Sequence, residues 1–308
     1  KERGWDAVAI TDHGNMYGAL QFYTTCLSNG IKPIIGTEFY VCEDLENKVS
    51  KQKVYHQILL AKNDVGYKNL LKLNSIAFKY GYYYKPRIDF KTLEKHHEGL
   101  ICLSACLAGK IPQDILAGQF EQAEKDALWF KNLFGDDFYL EVQNHGIPEQ
   151  KEVNNFLRTL SNKHNIKLVA TNDCHYLYKE DAEMQDVLMC VQMGKKIDDP
   201  DRLKFDTDEF YYKTYEEMKE ALVGFEDALE TPLEIAAKCD VTIRSKAHGD
   251  IPGIDPKYVM PASENYIPAY TPENGMTCYE FLRHLTFEGL KKKYKDYIIL
   301  LGVFLLFL

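Results

Sequence analysis

Asp173 and His175, two side chains able to bind metal, stand two residues apart just past a short apolar run, Leu168-Val169-Ala170. In an extended segment that spacing puts both on one side of the chain. A carboxylate beside an imidazole suits a divalent ion such as Zn²⁺ or Mn²⁺. Asp-x-His alone is common at strand ends, so the pair gains weight only if the pattern recurs. It does. Asp12-His13 follows the apolar stretch Ala7–Thr11, and Glu38 lies towards the C-terminal end of Ile31–Val41. His56 shares a face with Ile58 and Leu60 in Val54–Ala61, Cys106 follows Leu100–Ser104, and His145 follows Phe138–Gln143. A histidine among inward apolar residues is more often a core histidine. A cysteine past a strand is more often a small buried hydrophobe. Both draw their significance from the set.

Imidazoles, carboxylates and one thiol together are too many for a single tetrahedral zinc. They fit two or three ions with a carboxylate bridge, and the implied chemistry is phosphoester hydrolysis. There is no Gly-x-Ser-x-Gly elbow and no Gly-x-x-x-x-Gly-Lys-Ser/Thr loop, so neither a serine nucleophile nor ATP hydrolysis is indicated. Gly81–Asp89 interleaves tyrosines with Lys85 and Arg87. It could face a phosphate chain or be a surface loop with packed tyrosines.

The elements that must position these residues are strands alternating with helices. Helical spacing covers Asp64–Tyr80, with Leu70, Leu71, Ile76 and Phe78 as expected core contacts, and also Phe120–Phe134, Glu149–Asn162 and Ala182–Met193. A helix from near Met16 to Leu27 and short helices at Tyr215–Leu222 and Pro232–Cys239 are also expected, the last with Pro232 at its start. Such alternation implies a mainly parallel sheet. Closed into a barrel, it would gather its strand ends at one mouth.

The 308 residues suffice for one large or two medium domains, and a net charge of −9 excludes nucleic-acid binding by global charge. Eight scattered cysteines without a Cys-x-x-Cys pair point to reduced thiols and a cytoplasmic location. No signal peptide opens the chain, and Lys1 with an immediate strand suggests missing upstream structure. Residues 245–275 read as a loop or linker, and Cys278–Lys293 as an amphipathic helix. Ile298–Leu308 is apolar but too short to span a bilayer. It is expected to be a cut-off helix or an artefact, not a membrane anchor.

On Ala9–Gly14, Gly36–Glu38, Leu103–Leu107 and Ala170–Tyr176, the chain resembles the polymerase and histidinol phosphatase (PHP) domain. Tyr82–Asp89 and Arg202–Tyr211 make it look most like the N-terminal region of the bacterial DNA polymerase III alpha family. The resemblance covers about residues 1–293. It implies a distorted (β/α)₇ TIM-like barrel over 1–195, short of its first strand, with the end of the PHP region at 196–244 and the start of a polymerase region at 276–297. It implies His13, Glu38, His56, Cys106, Asp173 and His175 as ligands of a cluster of up to three zinc, manganese or iron ions. Asp173, His175 and Glu38 would be catalytic. Asp12, His145, Lys85 and Arg87 would support the ligands or face substrate. Cys106, where stand-alone members have histidine, favours the polymerase branch.

Two family features are missing. A His-x-His motif is expected upstream of Lys1, which would leave the cluster incomplete, and the magnesium-binding polymerase carboxylates are expected far downstream. The implied activity is a phosphoesterase or 3′–5′ exonuclease site in a parent DNA polymerase. The implied partners are DNA, the proofreading exonuclease subunit and other replicase subunits. The alternative is a stand-alone phosphatase acting on a small phosphoester such as histidinol phosphate.

Overall fold

The computed structural model describes residues 1–48, 52–243, 271–272 and 275–293. Most of the expected linker and all of the apolar tail lie outside the described residues. Two compact units divide the chain; the described residues up to 243 belong to the first and those from 271 to the second.

The first unit is built on seven strands: β1 (Ala7–Ile10), β2 (Lys32–Cys42), β3 (Tyr55–Ala61), β4 (Arg87–Asp89), β5 (Leu100–Leu103), β6 (Phe138–Val142) and β7 (Leu168–Ala170). Their order is β1-β2-β3-β5-β6-β7, with β4 on β2. The sheet curls into a half-barrel covered by helices. The curl is visible at its ends. His13, after β1, and His175, after β7, belong to opposite edges, yet their rings lie 5.9 Å apart.

Side-chain alternation divides the strands cleanly. Ile35, Phe39, Leu59, Cys102, Leu140 and Ala170 face outward into a core shared with the helices. Ile34, Ile58, Leu60, Ile101, Leu103, Tyr139 and Val169 face inward. The outer core rests on α1 (Ala19–Ser28), α2 (Asp64–Lys79), α3 (Phe90–Lys95), α4 (Lys110–Leu116), α5 (Phe120–Phe134) and α6 (Pro148–His164). Further on come α7 (Ala182–Met193), α8 (Tyr215–Ala221) and α9 (Glu226–Lys238). Ile235 of α9 and the adjoining Cys239 enter the inward cluster. Residues 222–239 therefore share the core of the first unit. The second unit contributes α10 (Cys278–Lys293), none of whose residues is buried.

The sheet is mainly parallel, as expected, with β3 alone antiparallel to its neighbours β2 and β5. Several other expectations need correcting. Pro232 lies inside α9, which begins six residues earlier behind the acidic pair Glu226-Asp227; this pair suits the positive end of the helix dipole. The first helix starts at Ala19, because Asn15 Oδ1 accepts the Tyr17 N–H and holds a turn there. On α2 the buried stripe is Leu70, Leu73, Asn74 and Ala77, while Leu71 and Phe78 are exposed. The stripe sits one step round from the one expected. Gly81–Asp89 is not wholly loop, because it contains β4. No described helix is long and apolar enough to cross a membrane, and none of the eight cysteines forms a disulfide.

Candidate metal centre

β2 carries the centre. Along one edge it pairs first with β1, from Lys32 to Ile35, and then with β4, from Tyr40 to Cys42. Between these pairings the chain leaving β1 still grips Glu38. The Glu38 N–H donates to the Asp12 carbonyl at 3.1 Å, and the Gly14 N–H donates to the Glu38 carbonyl at 2.9 Å. His13 turns inward in the gap. Gly14 makes the exit possible. Its φ is +63°, and an added Cβ would lie 2.9 Å from Pro86 Cγ and 3.0 Å from the Tyr40 ring.

Glu38 sits between two imidazoles. Its Oε2 is 2.8 Å from His13 Nδ1, and its Oε1 is 2.8 Å from His56 Nδ1. One ligand atom from each of these three residues lies within 4.8 Å of the others. His56 reaches this point because β3 is reversed: it stands at the strand's first turn into the sheet, opposite Tyr40. Cys106 Sγ completes the near group, 3.6 Å from His56 Nδ1 and 3.8 Å from Glu38 Oε1. The preceding Ala105 adopts φ 65°, a left-handed step that swings the cysteine off β5.

Asp173 and His175 form the far group. The strand ends at Ala170, so their proximity does not come from extended chain. Asp173 takes φ 42°, a turn that Asp tolerates. His175 Nδ1 lies 2.7 Å from the Asp173 carbonyl oxygen and 3.9 Å from its Oδ1. A proton on Nδ1 donated to that carbonyl leaves the Nε2 lone pair for a ligand. Phe205 and Phe210 wall the ring at 4.7 and 5.5 Å, and the His175 N–H donates to the Phe210 carbonyl.

Electrostatics bind the two groups together. Burial would raise the Glu38 carboxyl, but hydrogen bonds from His13 and His56 prevail and hold it at about 2. The bond to Glu38 raises His13 in turn. Burial and then the charge of Glu38 raise Asp173. Burial, then Asp173 and Glu38, push the Cys106 thiol well above its ordinary range. Acidic groups crowded into a buried space repel one another unless a cation is shared among them. The donor set of imidazole, carboxylate and thiol therefore fits a borderline-soft divalent ion.

The supporting residues separate. Asp12 is exposed and contributes only its carbonyl to Glu38; its Oδ2 lies towards Gly18. Lys85 is at the rim, its ammonium 4.3 Å over the Tyr40 ring. Tyr40 in turn stacks on His13 at 6.0 Å. Arg87 does not face the mouth. It is 1% exposed, donates to the Gly81 carbonyl, and lies against the Tyr83 ring. β4 draws it inward, although its charge suggested a surface position.

His145 is also buried. Its Nε2 is 2.9 Å from the Asn172 carbonyl, Gln150 holds its Nδ1 at 2.7 Å, and Phe210 stacks on it at 4.0 Å. It props the Asp173 turn from beneath. Burial depresses this imidazole to about 4. An unfolded chain takes up its proton near pH 6.5, whereas the folded one resists down to about 4. Stability present above pH 6.5 is thus lost as pH falls towards 4. Between pH 7 and pH 5 the wild-type chain should lose about 2 kcal/mol through this group, and His145→Gln less. Urea unfolding at the two pH values reads the difference; equal losses would remove His145 as the cause.

Sequence reading missed Tyr40, Phe205, Phe210 and Glu141. Glu141 faces inward on β6, its Oε1 accepting from Gln143 and Thr171 while its buried Oε2 has no partner. Burial raises it to about 7. The strict alternation Tyr139, Glu141, Gln143 could have revealed it.

Residues 1–145 match the PHP domain model. They belong to the PHP domain family. The whole chain is also similar to the N-terminal region of DNA polymerase III alpha subunits. It is 48% identical to that of Borreliella burgdorferi over 94% of the chain and 24% of the relative. For Thermus aquaticus the figures are 43%, 95% and 23%, and for Treponema pallidum 41%, 96% and 24%. The chain therefore spans about a quarter of the length of these relatives. The curled α/β sheet is the PHP architecture, and the His13-Glu38-His56 triad lies within the matched residues.

Proposed function

We propose that this chain is the N-terminal part of a replicative DNA polymerase III alpha subunit, and that its PHP centre hydrolyses phosphodiesters at DNA 3′ ends. The observation supporting the hydrolytic reading is the Glu38 carboxylate between His13 and His56, with Cys106 on one side and Asp173-His175 facing it across the mouth. Two groups of donors suit more than one ion. Divalent ions held there lower the pKa of water and neutralise phosphate charge.

The protein's own contributions are distinct. Glu38 stays ionised and orients both imidazoles. His175 is fixed by the Asp173 carbonyl and presents Nε2 to the mouth. Asp173, turned inward by its left-handed backbone step, supplies the carboxylate of the far group beside His175. The hydrophobic wall of Phe205 and Phe210 keeps water from the back of His175. In this reading the partners are DNA, the proofreading exonuclease subunit and other replicase subunits. The polymerase chemistry of the relatives belongs to the whole subunit.

An oligonucleotide labelled at its 3′ end tests the hydrolytic proposal. With Mn²⁺ the chain should release the label. EDTA or Asp173→Asn should each slow release by about a hundred-fold or more. Release indifferent to both would end the proposal.

A further inference from the structure

The rim of the centre carries an aromatic and basic surface that the ligands do not use. Tyr17 in the turn after His13, Phe78 at the end of α2, and Tyr82 stand in a row, with ring centroids 6.1 and 6.3 Å apart. Beyond them Tyr84 is 85% exposed and holds φ 60°. A bulky side chain avoids that region, and exposure supplies no burial to offset the strain. Phe78 and Tyr82 are exposed as well, and Tyr17 is 80% so. Folding alone gives no reason to display four aromatic side chains here.

This surface adjoins the ligands. Lys85 covers Tyr40, Tyr40 stacks on His13, and Pro86 presses on Gly14. Its charge also departs from that of the chain. The chain carries −9, yet residues 13–37 and 65–88 contain no Asp or Glu. Lys79 and Lys85 both lie in the second stretch.

We propose that the rim is a stacking track for the unpaired nucleotides of single-stranded DNA that lead into the metal centre. The proposal rests on the phosphodiesterase reading and extends it to how substrate is held. Aromatic faces stack bases of any sequence, and lysines beside them take the phosphates. Lysines borne on two stretches without acidic residues give an otherwise acidic protein local positive charge with which to hold a polyanion. A small phosphomonoester has no series of bases to occupy such a row.

Fluorescence anisotropy of the full chain in EDTA tests the track without catalysis. The probes are a labelled oligothymidylate and an abasic strand with the same number of phosphates. Wild type should hold the thymidylate about ten-fold more tightly. Tyr17→Ser/Tyr84→Gly should lose that preference with an unchanged thermal midpoint, since both side chains are exposed and glycine accepts the left-handed backbone. Equal affinity of wild type for the two strands, or a preference that survives in the double variant, would overturn the track. So would a surface that binds protein and ignores both strands. Hydrolysis of a small phosphodiester by wild type with Mn²⁺ reports the centre separately. No hydrolysis alongside a preference that the double variant loses rejects the phosphodiesterase reading and supports the track. Hydrolysis with no preference does the reverse.

Discussion

Glu38→Gln should leave the chain unable to retain divalent metal. Glu38 is 3% exposed and, among the described residues, is the one in hydrogen-bond contact with both His13 and His56. An amide keeps the shape but removes the negative charge, and it turns one oxygen into a donor facing an imidazole. A cation would then lose the one carboxylate that lies between the two imidazoles and beside the Cys106 sulfur. Metal content after dialysis, measured by elemental analysis, should fall from stoichiometric to background, a loss of affinity of at least about a hundred-fold. Thermal unfolding gives a second readout. Metal at about a hundred times its dissociation constant should stabilise wild type by about 2.7 kcal/mol, and the variant hardly at all. Wild-type metal content in Glu38→Gln would show that the ions sit elsewhere.

Gly66→Ala should destabilise the fold by about 3 kcal/mol or more. Local propensity argues the other way, since alanine in a helical first turn is favoured over glycine by about 1 kcal/mol. Packing decides the matter. A Cβ on Gly66 would lie 1.8 Å from the Gly99 carbonyl oxygen and 2.6 Å from its carbon. These are backbone atoms, and they cannot retreat freely. The Gly99 carbonyl accepts the Lys62 N–H at 2.9 Å, which ties the end of β3 to the start of β5. The two strands that deliver His56 and Cys106 are braced at this crossing. Urea titration should show a lower midpoint at an unchanged slope. An unaltered midpoint would mean that the two backbones can separate without loss.

Much of this site is legible in the sequence because strand-end ligands depend on local features. Apolar runs locate Ile10, Leu103 and Ala170, and the residues that follow must lie near the mouth. Alternation likewise assigns faces: His56 inward with Ile58 and Leu60, Leu59 outward. Strand direction is not encoded that way. A period of two reads the same forwards and backwards, so the reversal of β3 is invisible until its partners are known. β4 escaped notice because three residues carry almost no periodicity, and its first, Arg87, has the composition of a surface. The face of α2 was misplaced by one step because Leu71 and Phe78 are as apolar as the residues actually buried. Phe205 and Phe210 lie in a stretch with no regular element, where only tertiary contact gives a side chain its position.

The handover along β2, from β1 to β4 with Glu38 between, has an entropic consequence. Histidines on free loops must be ordered by the ion they capture, and binding is weakened by that amount. Here the backbone on either side of His13 is already pinned to Glu38 by the Asp12 carbonyl and the Gly14 N–H. The ordering of this ligand is completed when the sheet forms, so an arriving ion meets a donor whose freedom has already been spent.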